Sequence, residues 1–239
     1  PDTPLKHRML GIPQRMLIRR MIRLWSPHSA HTQVPFHQAK LKTALSQIKL
    51  LPLFGNIRPT HLDRATQPTG RQTLNLIVFG TIPPECCDGA FFRKAASAAE
   101  AANIGLSIRC IGRSGPSINT FIHAAQDYTP TIRVEEFGQM NPDSISEHLM
   151  NADFGVALSK PLMLSKSGVA AAFDEHGLPI LCARPGPLPP ELGKPPFFRV
   201  PVIELDAINS SILTACKALP AMPKVDTVAQ MLLKTLLCS

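Results

Sequence analysis

The segment richest in usable chemistry is FGVALSKPLMLSKSG, residues 154–168, followed directly by VAAAFDEHGLPIL. A short apolar run feeds a loop, and the loop feeds an Ala-rich helix through Ser165, Lys166, Ser167 and Gly168. First-turn amides, the positive end of the helix dipole, a lysine and a small glycine together suit a diphosphate, with Val169 supplying the next amide. The competing reading is helix capping, with Ser165 or Ser167 accepting from the first-turn amides and Lys166 in solvent. The spacing is neither that of a Walker loop nor that of G-x-G-x-x-G.

Asp174 and Glu175 follow two turns later, just before His176-Gly177-Leu178-Pro179. Either carboxylate could accept from the ribose hydroxyls of a nucleotide bound at the helix start. The alternative is a solvated acidic pair at the end of the helix that its dipole disfavours. His176 beside Gly177 closes the helix as a C-terminal cation or serves as a base. Three further loops carry weaker signals: Gly80-Thr81 offers an amide and a hydroxyl, Arg113 a cation, and Gln139-Met140 a contact to a base edge.

These loops matter because of the elements that precede them. From Leu74 onward, five- or six-residue apolar runs alternate with helical stretches. Strands are expected at Leu74–Phe79, Leu106–Ile111, Thr131–Phe137, Phe154–Leu158 and Pro179–Cys182. Helices are expected at Phe91–Ala102, Ser117–Tyr128, Asp143–Asn151 and Gly168–His176. Such alternation predicts an α/β, Rossmann-like, doubly wound parallel sheet, whose ligands bind beyond the carboxyl ends of the strands. All the loops singled out lie on that one edge. Farther on, a proline-rich passage, a strand at Phe198–Leu205 and helices at Ser210–Leu219 and Val225–Leu237 are expected.

The first 73 residues differ in kind. They hold 12 Lys/Arg against only Asp2 and Asp63, whereas the remaining chain holds 13 against 15 acidic residues. Arg15–Trp25 reads as a basic apolar helix able to lie on an anionic membrane surface or to pack on a protein body, and Ala39–Leu51 as a second helix. Few aromatics are interleaved with the cations, so no nucleic-acid partner is expected. No uncharged apolar run approaches the ~18–20 residues of a membrane-spanning helix. An apolar fraction of 44% and a mean hydropathy of +0.06 exclude a disordered chain. Six cysteines without metal-ligand spacing read as small buried thiols of a reducing, cytoplasmic compartment. No metal and no cofactor are expected.

Taken in order, LNLIVFGTIPPE, IRCIGRSGP, VEEFGQM, NPDSISEHLMNADFGVALS and SKSGVAAAFDEHGLPIL resemble the carboxyl-terminal domain of GT-B glycosyltransferases, group 1 (family 4). Phe137-Gly138, Ala152-Asp153 and Gly177-Leu178-Pro179-Ile180 stand where that family has its strand-end glycine, its Ala-Asp and its Gly-Leu-Pro-Val. The resemblance implies transfer of a sugar from a nucleotide-sugar to a glycan, lipid or small-molecule acceptor, without metal. It also implies that Lys166, Gly168 and Val169 hold the diphosphate, Gln139-Met140 lie by the base, and Arg113 assists. The family's two spaced glutamates would fall at Leu164 and Ala172, which are not acidic. A second GT-B pattern, S-[RK]-x-G, instead puts its ribose carboxylate at Asp174, so Asp174 and Glu175 both stand as ribose ligands.

The implied organisation is a remnant of an acceptor-side domain with a linker over 1–73, a donor-binding domain over 74–222 and a closing helix over 223–239. A chain so arranged should bind donor weakly and lack transfer activity alone, with no catalytic residue assigned. The alternative is a non-catalytic Rossmann-like module whose basic arm contacts a protein or an anionic membrane.

Overall fold

The computed structural model describes residues 16–17, 20–21, 30–32, 48–64, 72–129, 131–190, 192 and 197–237. The chain divides into two compact units, Pro1–Pro52 with Asp226–Ser239, and Leu53–Val225.

In the first unit, β1 (Ala30–Thr32) pairs in parallel with β2 (Ile48–Leu50). Ile48–Leu50 is therefore strand, where a helix over Ala39–Leu51 was expected. An apolar-polar-apolar triplet satisfies either period, and a partner strand decides it. Residues 39–47 lie outside the described ones, as does most of Arg15–Trp25. Within the latter, Met16, Leu17, Arg20 and Met21 are helical and exposed. The C-terminal helix, Val225–Leu237, forms where its apolar spacing placed it.

The second unit is built on six parallel strands. These are β3 (Thr73–Phe79), β4 (Gly105–Ile111), β5 (Ile132–Gly138), β6 (Phe154–Ala157), β7 (Ile180–Cys182) and β8 (Val202–Ile203). Their order is β5-β4-β3-β6-β7-β8. The expected strand at Phe198–Leu205 shrinks to β8, because Arg199 and Val200 give their amides to the Asp174 carboxylate.

The helices are α1 (Ala90–Ala101), α2 (Ile118–Gln126), α3 (Pro142–Met150), α4 (Gly168–Glu175) and α5 (Ser210–Ala215). Alternate residues of the strands face opposite layers. Leu76, Val78, Phe154 and Val156 join Phe91, Phe92 and Phe121 of α1 and α2 in one apolar core. On the other face, α4 lies so close to β6 that a Cβ on Gly155 would sit 2.5 Å from the Phe173 ring. Helices therefore cover both faces, the doubly wound Rossmann-like arrangement that the alternation predicted.

The compact unit begins at Leu53, ahead of the expected boundary at 73. Residues 53–64 form a strap that the core holds by hydrogen bonds. Gly55 N–H donates to Glu175 Oε1 at 2.8 Å, and Thr60 N–H to Ser146 Oγ at 2.9 Å. Arg64 donates to the carbonyls of Leu149, Ala152 and His176, so one guanidinium caps the C-terminal ends of α3 and α4. Burial pulls that guanidinium down to about 10.

Candidate functional site

The strand order reverses between β3 and β6. The chain leaves β3 for β4 and β5 on one side, then crosses back to β6 on the other. At the carboxyl ends of strands flanking such a switch, the two loops part and leave a crevice. A cleft of about 400 Å³ opens there. One wall is Phe79, Thr81 and Pro83 from the end of β3 and its loop. The other is the β6 loop, from Ala157 through Lys160 and Met163 to Lys166, Ser167 and Val169. Arg184, two residues beyond β7, completes it.

The β6 loop is a 3-10 turn, Pro161–Lys166, and α4 starts only at Gly168. Ser167 is the N-cap, with its Oγ accepting from Ala170 N–H at 3.2 Å. The amides of Gly168 and Val169, in the first turn, have no acceptor within the helix. Pro161 and Leu164 are buried and anchor the turn, which leaves Lys160 and Lys166 exposed at the cleft. Three cations, Lys160, Lys166 and Arg184, thus line one cleft, and no Asp or Glu is among its described lining residues. Among the described residues none forms an ion pair with Lys166. An anion entering this cleft meets positive side chains and a helix amide end together.

Of the residues singled out in the sequence, Thr81, Lys166, Ser167 and Val169 line the cleft. Gly168 begins α4 beside it. Ser165 is buried behind the turn, 3% exposed, and its Oγ has no partner among the described residues. Gly80, at φ +90°, makes the turn after β3, but its amide donates to Ile111 O and is not offered to a ligand. Arg113 is exposed outside the lining, and its carbonyl accepts from Thr81 Oγ1. Gln139 and Met140 follow β5, the edge strand, two positions from β3 and outside the lining.

Asp174 and Glu175 have a different occupation from the expected ribose contact. Asp174 is fully buried; its Oδ2 pairs with Lys224 Nζ at 2.6 Å, and its Oδ1 accepts from Arg199 N–H at 2.6 Å and Val200 N–H at 3.0 Å. Glu175 is 1% exposed and holds the Gly55 amide, and burial pushes its carboxyl up. Both belong to the framework that fixes the strap and the 197–224 segment on α4.

His176 is likewise closed off. Nδ1–H donates to Ala172 O at 2.7 Å, and Nε2 accepts from Ser146 Oγ at 2.9 Å. Burial lowers it to about 4, so the imidazole is neutral and is no base for a substrate. Gly177 then takes φ +71° to end the helix, where a Cβ would sit 1.9 Å from Leu219 O.

Lys160 and Arg184 were not foreseen. The signal for each was its place just past an apolar strand, which a solvated loop cation shares. Cys86, Cys110 and Cys182 are buried thiols raised to about 11, 12 and 12 by desolvation, unsuited to nucleophilic work. Among the described residues no group of three His, Cys, Asp or Glu could hold a metal ion, and no helix is long and apolar enough to cross a membrane.

The sheet order and the switch-point cleft define a Rossmann-like α/β protein. Among solved structures the chain is similar to the lipopolysaccharide outer core galactosyltransferase WaaB in its apo form. That match has a TM-score of 0.50 at 12% identity and covers 87% of this chain and 57% of the other. It is also similar to TarM, with TM-score 0.46, 11% identity and coverage of 87% and 37%. Anabaena Alr3699/HepE in complex with UDP and glucose matches with TM-score 0.44, 11% identity and coverage of 88% and 63%. At 12% identity the likeness to the WaaB galactosyltransferase shows the fold alone: a GT-B-like α/β architecture. The chain spans little more than half the length of WaaB. No family model and no curated protein matches the sequence.

Proposed function

We propose that the switch-point cleft binds the diphosphate of a nucleotide-sugar and that this unit is the donor-binding side of a glycosyl transfer. The observation that supports this most is the convergence of Lys160, Lys166 and Arg184 on a cleft beside the first turn of α4. As the bond from the sugar's anomeric carbon to the diphosphate oxygen breaks, negative charge builds on the leaving diphosphate. Fixed cations and helix amides stabilise that charge without reorganising. Lys166 and the amides of Gly168 and Val169 would hold the phosphate nearest the helix, with Lys160 and Arg184 on the outer oxygens. The sugar would pass to a glycan, lipid or small-molecule acceptor.

Thermal unfolding with and without UDP tests this. Wild-type protein should be stabilised by the nucleotide, because a ligand bound only to the folded state raises its stability. Lys166→Ala should keep the ligand-free melting temperature and lose about tenfold in affinity, ~1.4 kcal/mol. Equal stabilisation of the variant and the wild type would count against the assignment.

A further inference from the structure

We infer that the cleft recognises its ligand by the diphosphate and is nearly indifferent to the nucleoside. This rests on the diphosphate reading above and narrows it to a substrate class: diphosphate esters whose organic part is tolerated broadly.

Selecting a ribose takes an acceptor for its two hydroxyls. Among the described residues no Asp or Glu lines the cleft, and the two carboxylates of α4 are both committed. Asp174 is held by the Lys224 ammonium and two backbone amides, and Glu175 by the Gly55 amide. Turning either one toward a ligand would strand a buried ammonium or a buried amide, each a heavy desolvation cost. Of the cleft hydroxyls, Ser167 caps α4 and Thr81 donates to Arg113 O, which leaves the single hydroxyl of Ser159.

Selecting a base takes a pattern of donors and acceptors on its edge. The apolar lining is Phe79, Pro83, Ala157, Leu158, Met163 and Val169, surfaces that any base face can lie against. Gln139, the side chain best suited to read a base edge, lies outside the lining. What remains among the described lining residues is one hydroxyl, Ser159, too little to read a base, and three cations set for an oxyanion, whatever it is attached to.

Isothermal titration of the intact chain with UDP, GDP, ADP, inorganic pyrophosphate and uridine tests the inference. The three nucleotides and pyrophosphate should bind within about tenfold of one another, and uridine should give no heat. Glu175→Gln keeps an acceptor for the Gly55 amide and should retain UDP affinity to within about threefold. A preference of more than about tenfold for one base, or pyrophosphate silent where UDP binds, would overturn the inference and leave the diphosphate site standing. So would a larger loss in Glu175→Gln at an unchanged melting temperature. Silence from every diphosphate would remove the diphosphate reading itself. Should Glu175→Gln not fold, the ligand panel alone decides.

Discussion

His176 and Lys166 show how burial sorts similar residues into unlike jobs. His176 sits in the core with both ring nitrogens bonded, and its pKa of about 4 lies below the ~6.5 of a free histidine. Between those values the unfolded chain binds a proton that the folded chain refuses, so stability falls as the pH drops from about 6.5 toward 4. The full gap corresponds to about 3 kcal/mol. Glu175, raised by burial, acts in the opposite sense: its folded form favours the proton, which adds stability at low pH and costs it as the carboxyl ionises. Urea unfolding at pH 7 and pH 5 should show the loss in the wild type, and His176→Gln should flatten it. An unchanged slope in the variant would assign the effect elsewhere. Ser167, by contrast, has an ordinary capping role, and Ser167→Ala should cost about 1 kcal/mol in the same assay.

At the scale of elements, the position of α4 decides the cleft. Its N-terminal turn faces the switch point only because its C-terminal half lies against Gly155 of β6 and Gly55 of the strap. A Cβ at Gly55 would come within 2.8 Å of Ala172 Cα. Gly155→Ala should therefore push on Phe173 and destabilise the unit by about 1–3 kcal/mol. Arg64→Met leaves three carbonyls without their donor and should cost on the order of 3 kcal/mol. Chemical denaturation measures both, and a neutral Arg64→Met would show that the strap is dispensable.

The elements themselves were legible because parallel strands buried on both faces are unbroken apolar runs, such as LNLIVF, and helix lengths follow from the spacing between them. The strap was not legible, since its partners are remote in sequence: Glu175 lies 120 residues from Gly55, and His176 112 from Arg64. The same distance hid the fate of Asp174 and Glu175. Their position suggested a ribose, and only the packed structure brings Lys224 and the Gly55 amide to them. Lys166 was legible because a lysine before a small-residue helix is a local pattern. Lys160 and Arg184 become informative only when three strands place them around one opening.

For the molecule as a whole, the larger unit holds a GT-B-like sheet with a cation-lined cleft at its strand reversal, while the chain spans 57% of the length of the WaaB structure. The proposed function gives this cleft the binding of a nucleoside diphosphate, and charge should govern it. Isothermal titration of UDP at low and high ionic strength, against the wild type and a Lys160→Ala, Lys166→Ala, Arg184→Ala triple variant, measures it directly. The expected result is saturable binding that weakens as salt rises and is lost in a triple variant with an unaltered melting temperature. No heat from the wild type, or salt-independent binding that the triple variant retains, would contradict the account.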